Sequence, residues 1–244
     1  MTTGDGSNSE FKRAMVVTAH PDDAEYGCSG SVAKWCRLGW EVVYVLCTDG
    51  SKGTEDRNIT SEQLAEIRAE EQREAGKTLG LKTVEFLGYP DGYLEPTLEV
   101  RKDISREIRK HKPDVLITTN PTRDLLSSGY IGHPDHFAAG EAALSAVFPS
   151  ARDHLTFPEL FYDEGLEPHK VREVWVMSFG DKANFWNPLT EEDVETSIAA
   201  LKQHVSQVAD PDNAGKWMKE RRAELGNKIG ADRKSTRLNS SHQI

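Results

Sequence analysis

A histidine and two adjacent carboxylates, His20, Asp22 and Asp23, stand at the end of the apolar stretch of residues 14–19, and a second cluster, His133-Pro134-Asp135-His136, follows far downstream. Aspartates are almost never buried unpaired, so the first cluster demands a partner. Taken alone, His20 could be a core histidine and the two aspartates a helix-capping pair. With the second cluster present, His20, Asp23 and His136 form a two-histidine, one-carboxylate set. That is the ligand count of a catalytic zinc site, which keeps one position open for water. Asp22, next to a ligand yet pointing differently, is the candidate general base, and His133, three residues from a ligand, the candidate acid or oxyanion donor. Together these groups suit amide hydrolysis. The same triad also fits a non-haem iron oxygenase or a catalytically silent metal-binding protein. A charged Asp22 beside the metal argues against the first, and the open fourth position against the second.

The elements that must position these residues show in the apolar pattern. Short β-rich runs at residues 14–19, 41–47, 83–88, 114–120 and 172–179 alternate with helical segments at 30–38, 61–79, 98–110, 135–147 and 190–207. In the second helix Leu64, Ile67 and Leu79 mark the apolar positions and Gly80 the stop. Strands that read as continuous apolar runs are covered on both faces, so the expected fold is α/β: a Rossmann-like, doubly wound, mostly parallel sheet with helices on both faces. Ligands in such sheets bind beyond the carboxyl ends of the strands, which is where both clusters fall. Pro134 suits the first position of a helix, placing His133 just before it and His136 in its first turn. The expected organisation is a flexible N-terminus over residues 1–13, one α/β domain over 14–230, and a tail over 231–244 that resembles vector-derived sequence.

Composition narrows the function. The 244 residues carry a formal net charge of −10 and no basic stripe, so nothing marks a nucleic-acid or anionic-membrane partner. No window approaches the roughly 18 apolar residues of a membrane span, and no secretory leader is evident; a cytoplasmic enzyme is expected. Cys28, Cys36 and Cys47 form no CxxC and read as free thiols. The G-x-G-x-x-G pattern is absent, which argues against a nicotinamide cofactor.

The stretches AHPDD and GHPDH, with IRAEEQREAGKTLGL and FLGYPDG between them, resemble the LmbE/PIG-L family of zinc-dependent N-acetylglucosamine deacetylases, which includes mycothiol-pathway enzymes. The resemblance implies one Zn2+ per chain, with Fe2+ or another divalent ion as the alternative, held by His20, Asp23 and His136. It implies Asp22 as base, His133 at the transition state, and Arg68 and Asp91 as substrate-contacting or site-ordering residues. From their types alone, Arg68 could equally pair with Glu71 on a solvated helix and Asp91 could simply mark a turn. Arg57 and Arg123, in polar loops at the same sheet edge, are further candidates for substrate contact. The expected partner is a small-molecule N-acetylated sugar conjugate, with self-association into a homo-oligomer left open. The sequence His204-Val205-Ser206-Gln207, placed late on the last of the expected helices, reads as a packing or subunit-contact element.

Overall fold

The computed structural model describes residues 11–123, 131–177 and 183–228, and residues 235–241 as backbone. Along the chain the elements are β1 (Arg13–Thr18), α1 (Asp23–Gly27), α2 (Ser29–Arg37), β2 (Glu41–Thr48), α3 (Ser61–Leu79), β3 (Thr83–Tyr89), α4 (Leu98–His111), β4 (Val115–Thr118), α5 (Pro134–Ser145), α6 (Pro158–Tyr162), β5 (Glu173–Met177), β6 (Phe185–Pro188), α7 (Glu191–Leu201), α8 (Pro211–Lys228) and β7 (Ser235–Ser241). Among the described residues the strands form one sheet in the order β3-β2-β1-β4-β5-β7-β6. The first five run parallel, and β7 pairs antiparallel with both β5 and β6.

Strand periodicity divides the core. Met15, Val17, Val43, Val45 and Leu116 point to one face, where Val100, Ile104 and Ile108 of α4 and the alanines of α5 cover them. Ala14, Val16, Val42, Tyr44, Leu46 and Ile117 point to the other, against Val32 and Trp35 of α2 and Ala75 and Leu79 of α3. The sheet is therefore doubly wound, as the sequence implies. β1 lies between β2 and β4, so the chain reverses its direction of winding there. Such a switch point opens a crevice at the carboxyl ends of the two strands.

The structure departs from expectation in several places. The helix expected over residues 30–38 starts earlier and is broken at Cys28 into α1 and α2. The helix expected over 190–207 ends at Leu201, so His204 to Gln207 lie in the following turn. In α3 the buried stripe is Leu64, Arg68, Gln72, Ala75, Gly76 and Leu79, while Ile67 stays 40% exposed. Polar residues take inward positions at i and i+4 because the site lies beneath them. Residues 235–241, set aside by composition, run as β7. Residues 1–10, 124–130, 178–182, 229–234 and 242–244 of the sequence expectations lie outside the described residues.

Candidate active site

β1 ends at Thr18, and His20 follows at once with Asp23 opening α1. β4 ends at Thr118, and His133 caps α5, where its Nδ1 accepts from the Asp135 amide at 3.3 Å. Close approach of α5 to the strand end is possible because residue 140 is glycine: a Cβ there would stand 2.4 Å from the Thr119 carbonyl oxygen. The two clusters thus meet across the switch point.

His20 Nδ1 lies 3.2 Å from His136 Nε2, and Asp23 Oδ1 lies 3.0 Å from that same His136 nitrogen. Asp23 Oδ2 stands 3.6 Å from His20 Nδ1 and accepts from the His20 amide at 2.9 Å. One donor atom from each of the three residues falls within 4.8 Å of the others. Two imidazole nitrogens and a carboxylate oxygen converging in this way fit a divalent cation of the zinc type. Electrostatics agree. Burial would push His20 down, yet Asp23 and Asp91 outweigh it and raise its pKa to about 10. Burial would likewise raise Asp23, but His136 and His20 hold it well below the usual carboxylate range. The cluster stabilises positive charge at its centre.

The other nitrogen of His20 is held from behind. Its Nε2 lies 3.1 Å from Asp91 Oδ1 and 3.2 Å from Asp135 Oδ2. Asp135 is wholly buried and also accepts from the Gly92 and Leu94 amides at 2.7 and 3.2 Å. A ligating histidine whose remaining N–H is given to a carboxylate has its tautomer and ring orientation fixed. The sequence reading missed Asp135; the available signal was a carboxylate between two histidines in the first turn of a helix.

Asp22 is the N-cap of α1, with φ of 91°. A non-glycine residue in the left-handed region needs surrounding structure to hold it there. Gln72 Oε1 accepts from the Asp22 amide at 3.1 Å, and Gln72 Nε2 donates to Glu25 Oε1 at 3.1 Å. Glu25 in turn faces His204. Gln72, Glu25 and His204 are all completely buried. Burial, then the negative charge of Asp23, raises the Asp22 carboxyl to about pKa 7, with Arg68 pulling the other way.

Arg68 is buried, and its guanidinium donates to the carbonyls of Gly50 (3.0 Å), Lys52 (3.1 Å) and Pro21 (2.8 Å). It stands 3.5 Å from Asp22 and 3.7 Å from Asp91. Gly50 is required at its place: φ is +64°, and a Cβ would lie 2.9 Å from Pro21 Cδ and 3.2 Å from Arg68 Nε. The alternative pairing with Glu71 does not occur; Glu71 accepts instead from the Ser206 amide and hydroxyl, both at 2.7 Å. His133 is less enclosed, with 39% side-chain exposure, and its ring stands 4.6 Å from that of His20. Burial and the neighbouring His20 lower its pKa. Because Nδ1 accepts a hydrogen bond, the neutral ring carries its proton on Nε2. Arg57 is exposed and makes no hydrogen bond or ion pair among the described residues. Arg123 donates to the Ile131 carbonyl and lies over the Phe137 ring.

At its switch point the doubly wound sheet thus gathers two histidines and a carboxylate that could hold a divalent ion, with a second aspartate beside them. The family described as GlcNAc-PI de-N-acetylase, PIG-L, matches residues 15–147 of the chain. Diacetylchitobiose deacetylase of Thermococcus kodakarensis is 33% identical over 82% of this chain and 71% of its own length. The probable N-acetyl-alpha-D-glucosaminyl L-malate deacetylase 2 of Bacillus anthracis is 28% identical over 81% of this chain and 82% of its own. Among solved structures, the N,N'-diacetylchitobiose deacetylase from Pyrococcus horikoshii superimposes with a TM-score of 0.85 at 29% identity, covering 96% of this chain and 85% of that one. The chain belongs to the PIG-L family and is an enzyme acting on acetylamide linkages. No helix among the described residues is long and apolar enough to cross a membrane.

Proposed function

We propose that this enzyme removes the acetyl group from the 2-amino group of an N-acetylglucosamine-type conjugate, with zinc held by His20, Asp23 and His136 and Asp22 as the general base. The observation that carries the reading is the convergence of those three donor atoms beside an aspartate raised to about pKa 7. When bound, zinc lowers the pKa of a coordinated water from 15.7 to about 7 and polarises a carbonyl oxygen.

The chain's own residues supply the rest. Asp22 takes the proton of the attacking water as its oxygen bonds to the acetyl carbon, and a base with a pKa near the working pH does this best. The protonated carboxyl then gives that proton to the departing amine as the C–N bond breaks, leaving acetate and a free amino sugar. His133 presents its Nε2–H to the oxygen that gains negative charge; a neutral imidazole is a sufficient donor for this. Arg68 fixes the Pro21 and Gly50 carbonyls, and so sets the wall beside Asp22. Asp91 and Asp135 hold the His20 ring. The similarity to diacetylchitobiose deacetylase supports a small N-acetylated sugar as substrate. Arg57 and Arg123 are the groups proposed to meet its hydroxyl or anionic substituents.

The test is an assay of zinc-loaded protein against a panel of N-acetylglucosaminyl conjugates, measuring amine and acetate together. Equal amounts of both, lost on replacement of Asp22, are expected. Absence of release from every conjugate by fully zinc-loaded protein overturns the reading.

A further inference from the structure

The peptide unit between Pro21 and Asp22 is gripped at both ends by one helix. Its carbonyl accepts from the Arg68 guanidinium at 2.8 Å, and its N–H donates to Gln72 Oε1 at 3.1 Å. Arg68 and Gln72 stand at i and i+4 on α3, one turn apart on the same buried face. We propose that Gln72 is a positioning residue for the hydrolysis: it holds Asp22 in the left-handed conformation and so aims the base carboxylate, an inference that rests on the reading of Asp22 as general base.

Asp22 and Asp23 are neighbours, yet their carboxylates go different ways. Asp23 faces His20 and His136, whereas Asp22 Oδ2 stands 3.5 Å from Arg68 Nη2. The divergence depends on the backbone, because φ and ψ set the direction of Cβ, and Asp22 has φ of 91° and ψ of −24°. A non-glycine residue relaxes out of that region unless its surroundings over-determine it. Turning the Pro21–Asp22 peptide is the motion that relaxes it, and that motion must break both hydrogen bonds. On the carbonyl side Arg68 is itself fixed, by the Gly50 and Lys52 carbonyls. On the amide side the hold is Gln72.

Glutamine is seldom buried, and Gln72 is completely so, at a position where an aliphatic side chain would pack with no polar group to satisfy. Both ends of its carboxamide are used, since Nε2 donates to Glu25 Oε1 at 3.1 Å. Glu25 also decides which end goes where. Turned over, the carboxamide would set its NH2 against the Asp22 N–H and its oxygen against the Glu25 carboxylate, donor on donor and acceptor on acceptor. A bridge that only joined α3 to α1 could end on any relaxed amide. This one ends on the strained residue that carries the base.

The experiment is a cycle of zinc-loaded wild type, Gln72→Met, Asp22→Asn and the double variant, with Gln72→Glu as the conservative replacement. Methionine keeps the volume and removes the acceptor; glutamate keeps an oxygen for the Asp22 amide. Gln72→Met should lower kcat about 10- to 100-fold with KM within about twofold, the scale of a small displacement of a reacting group, and Gln72→Glu should recover most of the loss. In the Asp22→Asn background the same change should cost nothing further, because Gln72 acts only through that carboxylate. Hydrogen exchange at the Asp22 amide gives a readout independent of turnover and metal: protection should be lost in Gln72→Met and kept in Gln72→Glu. If Gln72→Met does not fold, Gln72→Asn, polar but one methylene short of the amide, takes its place with the same expectations. Unchanged kcat in the Gln72 variant, an equal fold loss in both backgrounds, or full protection of the Asp22 amide overturns the positioning role. Wild-type turnover by zinc-loaded Asp22→Asn would overturn the assignment of the base, and the role of Gln72 with it, an outcome told apart from the others by the single Asp22 variant.

Discussion

Glu25 Oε2 and His204 Nε2 lie 3.4 Å apart with both side chains fully excluded from solvent. The pair joins α1 to the turn after α7 directly behind Asp22. Removing one partner leaves the other buried and uncompensated, so His204→Ala should cost about 3–5 kcal/mol of stability. Urea unfolding of His204→Ala and of the double variant Glu25→Gln/His204→Gln measures this, and the double variant should recover part of the loss. Equal stability of wild type and His204→Ala would mean that the pair contributes nothing.

The same pair sets a pH dependence. Burial pulls the His204 pKa down, but Glu25, and more weakly the charges of Asp22 and Glu71, raise it above 6.5 overall. A histidine whose folded pKa is raised contributes stability that is complete below the unfolded value and is lost as pH rises through the folded value. Wild-type stability should therefore decline on the alkaline side of 6.5 more steeply than that of His204→Asn. Parallel stability curves for the two proteins would remove His204 as the source.

Asp22 and Asp23 are adjacent in sequence and opposite in role. Asp22→Asn should keep zinc while kcat falls by about 10² to 10⁴, the usual contribution of a positioned base. Asp23→Ala should lose metal first. Metal content by elemental analysis, beside turnover, separates them, and near wild-type turnover of metal-loaded Asp22→Asn would assign the base elsewhere.

His133 and His136 divide in the same way. His136→Ala should weaken zinc affinity and regain part of its activity in excess metal. His133→Ala should retain zinc and lose about 10² to 10³ in kcat, and His133→Gln, which still offers an N–H, should restore part of that. Equal zinc loss in both variants would place both histidines on the metal.

Asp135 touches no substrate in this arrangement, but it fixes the His20 ring. Asp135→Asn should reduce zinc affinity by about 10- to 100-fold, the effect expected when the partner of a ligating histidine is weakened. Competition with a chromogenic chelator reads this directly, and an unchanged affinity would leave Asp91 as the sole orienting group.

By itself the sequence determined the architecture and the cluster. Continuous apolar strands alternating with helices specify a doubly wound sheet, and such a sheet brings the residues after β1 and β4 to one edge, so His20, Asp23, His133 and His136 were legible from type and position. What only the tertiary structure decided is how those residues are held. Ile67 looks like the inward position of α3 by hydropathy, whereas Arg68 and Gln72 turn inward, because the carbonyls and the strained Asp22 amide beneath the helix need donors and acceptors more than the core needs another aliphatic group. The role of Asp135 was hidden for the same reason, as was the partner of His204, a residue read from the sequence only as a packing or subunit-contact element. Their partners, His20 and Glu25, lie 115 and 179 residues away in the chain, and nothing local in a sequence records a contact that exists only once the sheet has closed over it.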